Sequence, residues 1–214
     1  MDIDRCGARA RGGSGNPFSY LPALVQRPRV RRVLAIDFVY WFAFATFQTT
    51  FALFAARRFG FDAARTGYFF AAFGVLGAVI QGGLIRPIVA RMGDKPTFLM
   101  GLVFGACGLV AAALAHSVTL FAAALVPVAF GIGFGHPTMS SLVSRVARGD
   151  EQGRVQGAAS AVESLGRTIG PVWGNASLQQ FGESMPYLSA AAFLLLTLVV
   201  SVGLQVGDQE TIKL

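Results

Sequence analysis

The chain has 214 residues, of which 54% are hydrophobic and only 14% charged, with a mean hydropathy of +0.57. Soluble chains carry about 25% charged residues, so a water-soluble globule is excluded, and at about 20 residues per crossing of a roughly 30 Å hydrocarbon core the length admits six membrane helices but not twelve. The net charge of +7 does not point to nucleic acid, because the Lys and Arg residues sit in the N-terminal tail and at the ends of apolar runs, the distribution of a membrane protein.

Residues 1–32 form a basic tail or linker, with Arg5, Arg9 and Arg11 among Gly and Ser and no apolar core of a secretory signal; they are expected to be disordered and cytoplasmic. The six-helix bundle is expected over 33–206. Its first run, Val33 to Ala56, follows Arg27, Arg29, Arg31 and Arg32, ends at Arg57 and Arg58, and holds Asp37 about one turn inside. The second, Thr66 to Ile85, is uncharged and stops at Arg86-Pro87, where the missing proline N–H is expected to break the helix. A basic connector, Arg86 to Lys95, leads to the third run, Thr97 to Ala115. The fourth spans Val118 to Met139, the fifth Val155 to Phe181 and the sixth Pro186 to Val206, with 207–214 as a cytoplasmic tail. Runs of this length exceed the 4 to 8 residues of a core strand, which makes the expected fold all-α and polytopic.

Charge by side sets the topology. Fourteen of the 18 Lys and Arg lie in the two tails and in the second-to-third and fourth-to-fifth connectors, against three in the first-to-second connector and none in the remaining two. Both termini are therefore expected on the cytoplasmic side of a cell membrane.

Ionisable groups inside a bilayer cost about 2.5 to 3.5 kcal/mol each on insertion scales and so mark candidate functional positions. Glu163 and Arg167 are i and i+4 on the fifth helix, with Gly170 and Gly174 assigned to the same stripe. The expectation is a buried ion pair beside small residues, serving either to hold two helices together or to line a polar cavity that handles protons or an anionic group. Asp37, Gln48, Gln81 and His136 are the other candidates for a substrate or proton pathway. The aromatic row Phe38, Tyr40, Trp41, Phe42, Phe44 and Phe47 reads as a lipid-facing or packing surface. No nucleophile–base pair, phosphate loop or metal-ligand spacing emerges, and Cys6 and Cys107 form no framework. Neither enzyme activity, a metal nor a cofactor is expected.

The glycine spacing is more specific. Gly157, Gly166, Gly170-Pro171 and Gly174, with Asn175 at the last position, resemble the G-x8-G-x3-G-P-x2-G-G antiporter motif of the major facilitator superfamily. The segment 151–157 resembles the loop before the eleventh helix of the tetracycline-efflux branch. Arg58-Phe59-Gly60-Phe61 and the stretch from Gln81 to Lys95, with Arg91, Gly93 and Lys95 as its cytoplasmic loop motif, are similar to the seventh helix through the eighth-to-ninth loop of that branch. Ala90 in place of the first half's loop acid, and a fourth helix without Arg, favour the C-terminal half.

The resemblance implies half of a secondary active transporter in the multidrug or tetracycline-efflux group, in a bacterial inner membrane, with protons as candidate coupling ion. Substrate would bind between this bundle and a second one, either an N-terminal half or another copy. Gly105 and Gly77 stand where proton-coupled tetracycline exporters carry an acid and a His, which leaves Glu163 or Asp37 as the available carboxylates. A non-transporting membrane assembly protein and an inactive fragment are the alternatives.

Overall fold

The computed structural model describes residues 26–147 and 151–203; most of the first tail and all of 207–214 lie outside them. Six helices follow in order: α1 Pro28–Phe59, α2 Ala63–Met92, α3 Asp94–Ala113, α4 Val118–Val146, α5 Gln152–Phe181 and α6 Met185–Val202. Pro28 opens α1 at its first position, where its absent N–H would have no helical partner. The helix therefore begins inside the segment expected as a tail, and Asp37 lies between two and three turns in rather than one. Asp62 caps α2 by accepting from the Arg65 N–H, and Ser117 caps α4 by accepting from the Leu120 N–H.

Five of the six, α1, α2, α3, α4 and α6, are long and apolar enough to cross a membrane. The expected sixth crossing, α5, has the length at 30 residues but carries Arg154, Glu163 and Arg167 among Gly, Ser and Gln. Its depth follows from its neighbour. Gly166 faces Phe38 and Phe42 of α1, Gly170 faces Phe42 and Ala45, and Gly174 faces Thr46 and Thr50, so α5 runs parallel to α1 along its central length.

Arg86-Pro87 does not end the second helix, as the sequence suggested. The ladder loosens one turn earlier into a π-helical stretch, Ile80–Leu84, in which the Ile85 N–H donates to the Ile80 carbonyl. Pro87 then falls in the first turn of the resumed α-helix, Ile85–Met92, and the chain passes it without a break. The connector expected from Arg86 to Lys95 contracts to Gly93, whose φ of 84° and ψ of 171° are open essentially to glycine alone. Arg91 is in the last turn of α2 and Lys95 in the first turn of α3.

Lipid removes the hydrophobic drive between helices, so close packing and interhelical hydrogen bonds must hold the bundle. α3 and α4 meet antiparallel through glycine: a Cβ on Gly131 would stand 2.6 Å from Gly105 Cα, and one on Gly108 2.7 Å from Val128 N. The Thr46 hydroxyl lies 2.8 Å from the Phe42 carbonyl and 3.2 Å from that of Gly170, which joins α1 to α5. α6 packs on α3 and α1, and Trp173 of α5 donates to Ser189 of α6 at 3.1 Å. α2 is held loosely. None of Ala63–Val79 is buried, and its anchor on α4 is Ile80, seated against Gly133.

Candidate functional site

Three helices converge on one polar cluster near their middles. Asp37 and Trp41, one turn apart on α1, are both buried at 3% and 4% exposure. From α5, Arg167 lays its guanidinium over the Trp41 ring, 3.9 Å from the centroid. The same guanidinium pairs with Glu163 at 2.9 Å. His136 of α4 meets Trp41 edge-on with ring centroids 5.0 Å apart.

The pair on α5 is not buried, contrary to expectation. Arg167 is 52% and Glu163 29% exposed. The glycines do share its face of α5: at about 100° per residue Gly170 and Gly174 fall within about 20° of Glu163, and Gly166, Gly170 and Gly174 are turned into α1, while Glu163 and Arg167 stand at the margin of that face, where Arg167 meets Trp41 and both stay partly exposed. The glycines set how closely α5 lies on α1, and that closeness brings Arg167 within reach of Trp41 across the helix boundary. Leu165, Ile169 and Val172 are exposed apolar side chains on the other side of α5.

Four of the six expected pathway residues, Asp37, His136, Glu163 and Arg167, thus come together. Gln48 lies two turns beyond Trp41 on the same face of α1 and is exposed; Gln81 is exposed within the π-helical stretch of α2. Neither joins the cluster's contacts. Gly157 and Pro171 fall within α5, whose helix continues through the proline. Sequence reasoning assigned Trp41 to a packing row, yet it is the side chain that His136 and Arg167 share, one turn from Asp37. Its i+4 spacing from Asp37 was the available signal. The other aromatics divide: Tyr40, Phe42 and Phe47 are buried, Phe38 and Phe44 partly so.

The bundle's interior offers no comparable chemistry. A cavity between α1, α3, α4 and α6, lined by Tyr40, Phe44, Leu102, Gly105, Gly131 and Leu194 among others, has only about 20 Å³ and is almost wholly apolar. Among the described residues no group of His, Cys, Asp and Glu has metal-binding geometry. The cluster's outward face can meet a polar or charged group arriving from the side that no helix of this bundle covers.

The profile of the Major Facilitator Superfamily matches residues 33–212. Over 120 residues the chain is 32% identical to the tetracycline resistance protein, class C, of Escherichia coli, covering 56% of this chain and 30% of that one. It is 27% identical over 168 residues to the class G protein of Vibrio anguillarum, at 76% and 42% coverage, and 26% over 166 residues to multidrug resistance protein 1 of Bacillus subtilis, at 78% and 41%. The solved structure of the human organic anion transporter MFSD10 (TETRAN) superposes with a TM-score of 0.74 at 22% identity, over 90% of this chain and 43% of that one, a likeness of fold. The chain spans less than half the length of each of these relatives.

Proposed function

The chain belongs to the major facilitator superfamily, and we propose that its six helices form one wall of a secondary-transport pathway, as the C-terminal bundle, with Asp37, Trp41, His136, Glu163 and Arg167 facing the translocated solute. The observation that carries this reading is Arg167, half exposed at mid-helix, held by Glu163 on one side and the Trp41 ring on the other. A guanidinium and two carboxylates at mid-depth are costly in lipid, and they become tolerable when the uncovered face lines an aqueous path between two bundles. The second bundle is a preceding six-helix segment of the same polypeptide or another copy of this one.

The cluster sets two carboxylates, Asp37 and Glu163, beside one guanidinium, Arg167, so one carboxylate is left over to carry an exchangeable proton. It is suited to bind and release a proton in exchange for a solute. Drug-like organic molecules are the substrate class suggested by relatives named for tetracycline and multidrug resistance, and efflux is the direction in keeping with them. Both termini then lie in the cytoplasm, in a bacterial-type inner membrane. Gly157, Gly166, Gly170, Pro171 and Gly174 serve the movement of α5 on α1, and Arg91, Gly93 and Lys95 the cytoplasmic end of α2 and α3.

The test is flux in proteoliposomes, with this chain reconstituted alone and together with a second bundle, using tetracycline and ethidium as probes under an imposed proton gradient. Glu163→Gln is expected to reduce gradient-driven flux at least tenfold while assembly of the two bundles persists. Unchanged flux with lost assembly would assign the stripe to helix association instead. Full flux from a strictly monomeric chain would remove the need for a second bundle.

A further inference from the structure

One end of the bundle gathers the starts of α1, α3 and α5 and the ends of α2, α4 and α6. The described carboxylates at this end, Asp94 and Glu151, are engaged by Arg145 and by a two-pronged contact from Arg27. Arg31 and Arg32 have no carboxylate partner among the described residues. With Pro28 and Ala35 they line an open groove of about 480 Å³.

Beside that groove two cations converge on the end of α6. Arg32 Nη1 donates to the Gly203 carbonyl and Lys95 Nζ to the Val202 carbonyl, each at 3.0 Å. Just beneath, a small cavity is bounded by Val33, Ile36, Lys95, Phe98 and Ser201. The Ser201 hydroxyl is buried at 3% exposure and makes no hydrogen bond among the described residues. On its outer face, turned away from Ser201, α6 presents Leu196, Val199 and Val202, all more than half exposed. From the helix ends towards the middle of α6 the order is cations, then an exposed apolar strip.

A phospholipid has that order of chemistry. We propose that this corner is a binding site for one anionic phospholipid, its phosphate held by Arg31, Arg32 and Lys95 and an acyl chain laid along Leu196, Val199 and Val202. A guanidinium presents five N–H donors in a fixed fork, so Arg32 can keep Gly203 and still take a phosphate oxygen. A zwitterionic headgroup brings a cation towards Arg31 and Arg32 and is disfavoured by like charge. The site stands on the membrane-crossing fold and is independent of any transport role.

The experiment is native mass spectrometry of the full chain in detergent, titrated separately with dioleoyl phosphatidylglycerol, dioleoyl phosphatidylcholine and inorganic phosphate. Wild type is expected to retain one phosphatidylglycerol at least tenfold more tightly than phosphatidylcholine. Arg31→Gln with Arg32→Gln should weaken it roughly 30-fold, from two charges at about 1 kcal/mol each. Arg57→Gln with Arg58→Gln, at the opposite end, should leave it unchanged. Equal retention of the two lipids by wild type overturns the proposal, and this comparison decides the matter if the first double variant does not fold. Equal losses in the two double variants, or displacement of the lipid by millimolar phosphate, also overturn it.

Discussion

Arg167 of α5 lies across the indole face of Trp41 of α1, its guanidinium carbon 3.9 Å from the ring centroid. This contact ties the charged pair of α5 to α1 one turn from the buried Asp37. A half-exposed cation–π contact of this kind is worth about 0.5–1 kcal/mol. The double-mutant cycle Arg167→Ala, Trp41→Phe, read by unfolding in mixed micelles, should return a coupling of that size. A coupling indistinguishable from zero would mean that the two side chains are merely adjacent.

Glycine at the α3–α4 crossing is a steric requirement, because a Cβ on Gly131 would meet Gly105 backbone at 2.6 and 2.7 Å. Gly131→Ala is expected to cost about 1–3 kcal/mol through overpacking and to lower the melting temperature in detergent. Gly82→Ala, where a Cβ meets nothing within 4 Å, should leave melting unchanged or raise it slightly. Equal behaviour of the two variants would refute the packing argument.

Gly60 and Gly93 both have positive φ but in different regions. Gly60, at 66° and 32°, is left-handed helical, a conformation that Asn tolerates; Gly93, at 84° and 171°, is not. Gly60→Asn should therefore be mild and Gly93→Asn cost about 1–3 kcal/mol. Thermal melts of the two variants side by side provide the check, and the prediction fails if Gly60→Asn is the worse of the two.

Asp94 is 8% exposed and accepts from Ser141 at 2.9 Å while pairing with Arg145, thereby tying the start of α3 to the end of α4. Asp94→Ala strands both partners and is expected to lose about 1–3 kcal/mol. Asp94→Asn, which keeps an acceptor for Ser141, should recover part of that. Denaturant titration of the three proteins separates these outcomes, with identical midpoints for the Ala and Asn variants as the contrary result.

Apolar run length carried most of the fold, because a bilayer demands about 20 residues of every crossing helix. The same rule could not see past Pro87. The accommodation there is a π-helical turn at Ile80–Leu84, a ladder adjustment that has no hydropathy signature. In α5 the spacing of Gly166, Gly170 and Gly174 was legible as a close-approach surface, but its partner was not, since helix pairing depends on contacts more than a hundred residues away. That missing partner is why Glu163 and Arg167 were assigned to the buried stripe. Once α1 covers the glycines, the charged pair at the margin of the same face keeps part of its surface exposed. Trp41 escaped notice for a related reason: its role arises from Arg167 and His136, which only tertiary packing delivers to its ring.

Gly93 also fixes the mechanics of α2. A single residue pins the end of that helix to α3, whereas three residues, Gly60 to Asp62, link its far end to α1. Three residues can extend about 10 Å. Over a helix roughly 45 Å long, a tilt of about 5° about Gly93 carries Ala63 some 4 Å sideways, well inside that tether. The weakly anchored helix is thus a lever with its fulcrum at the Arg-rich end and its sweep at the opposite one.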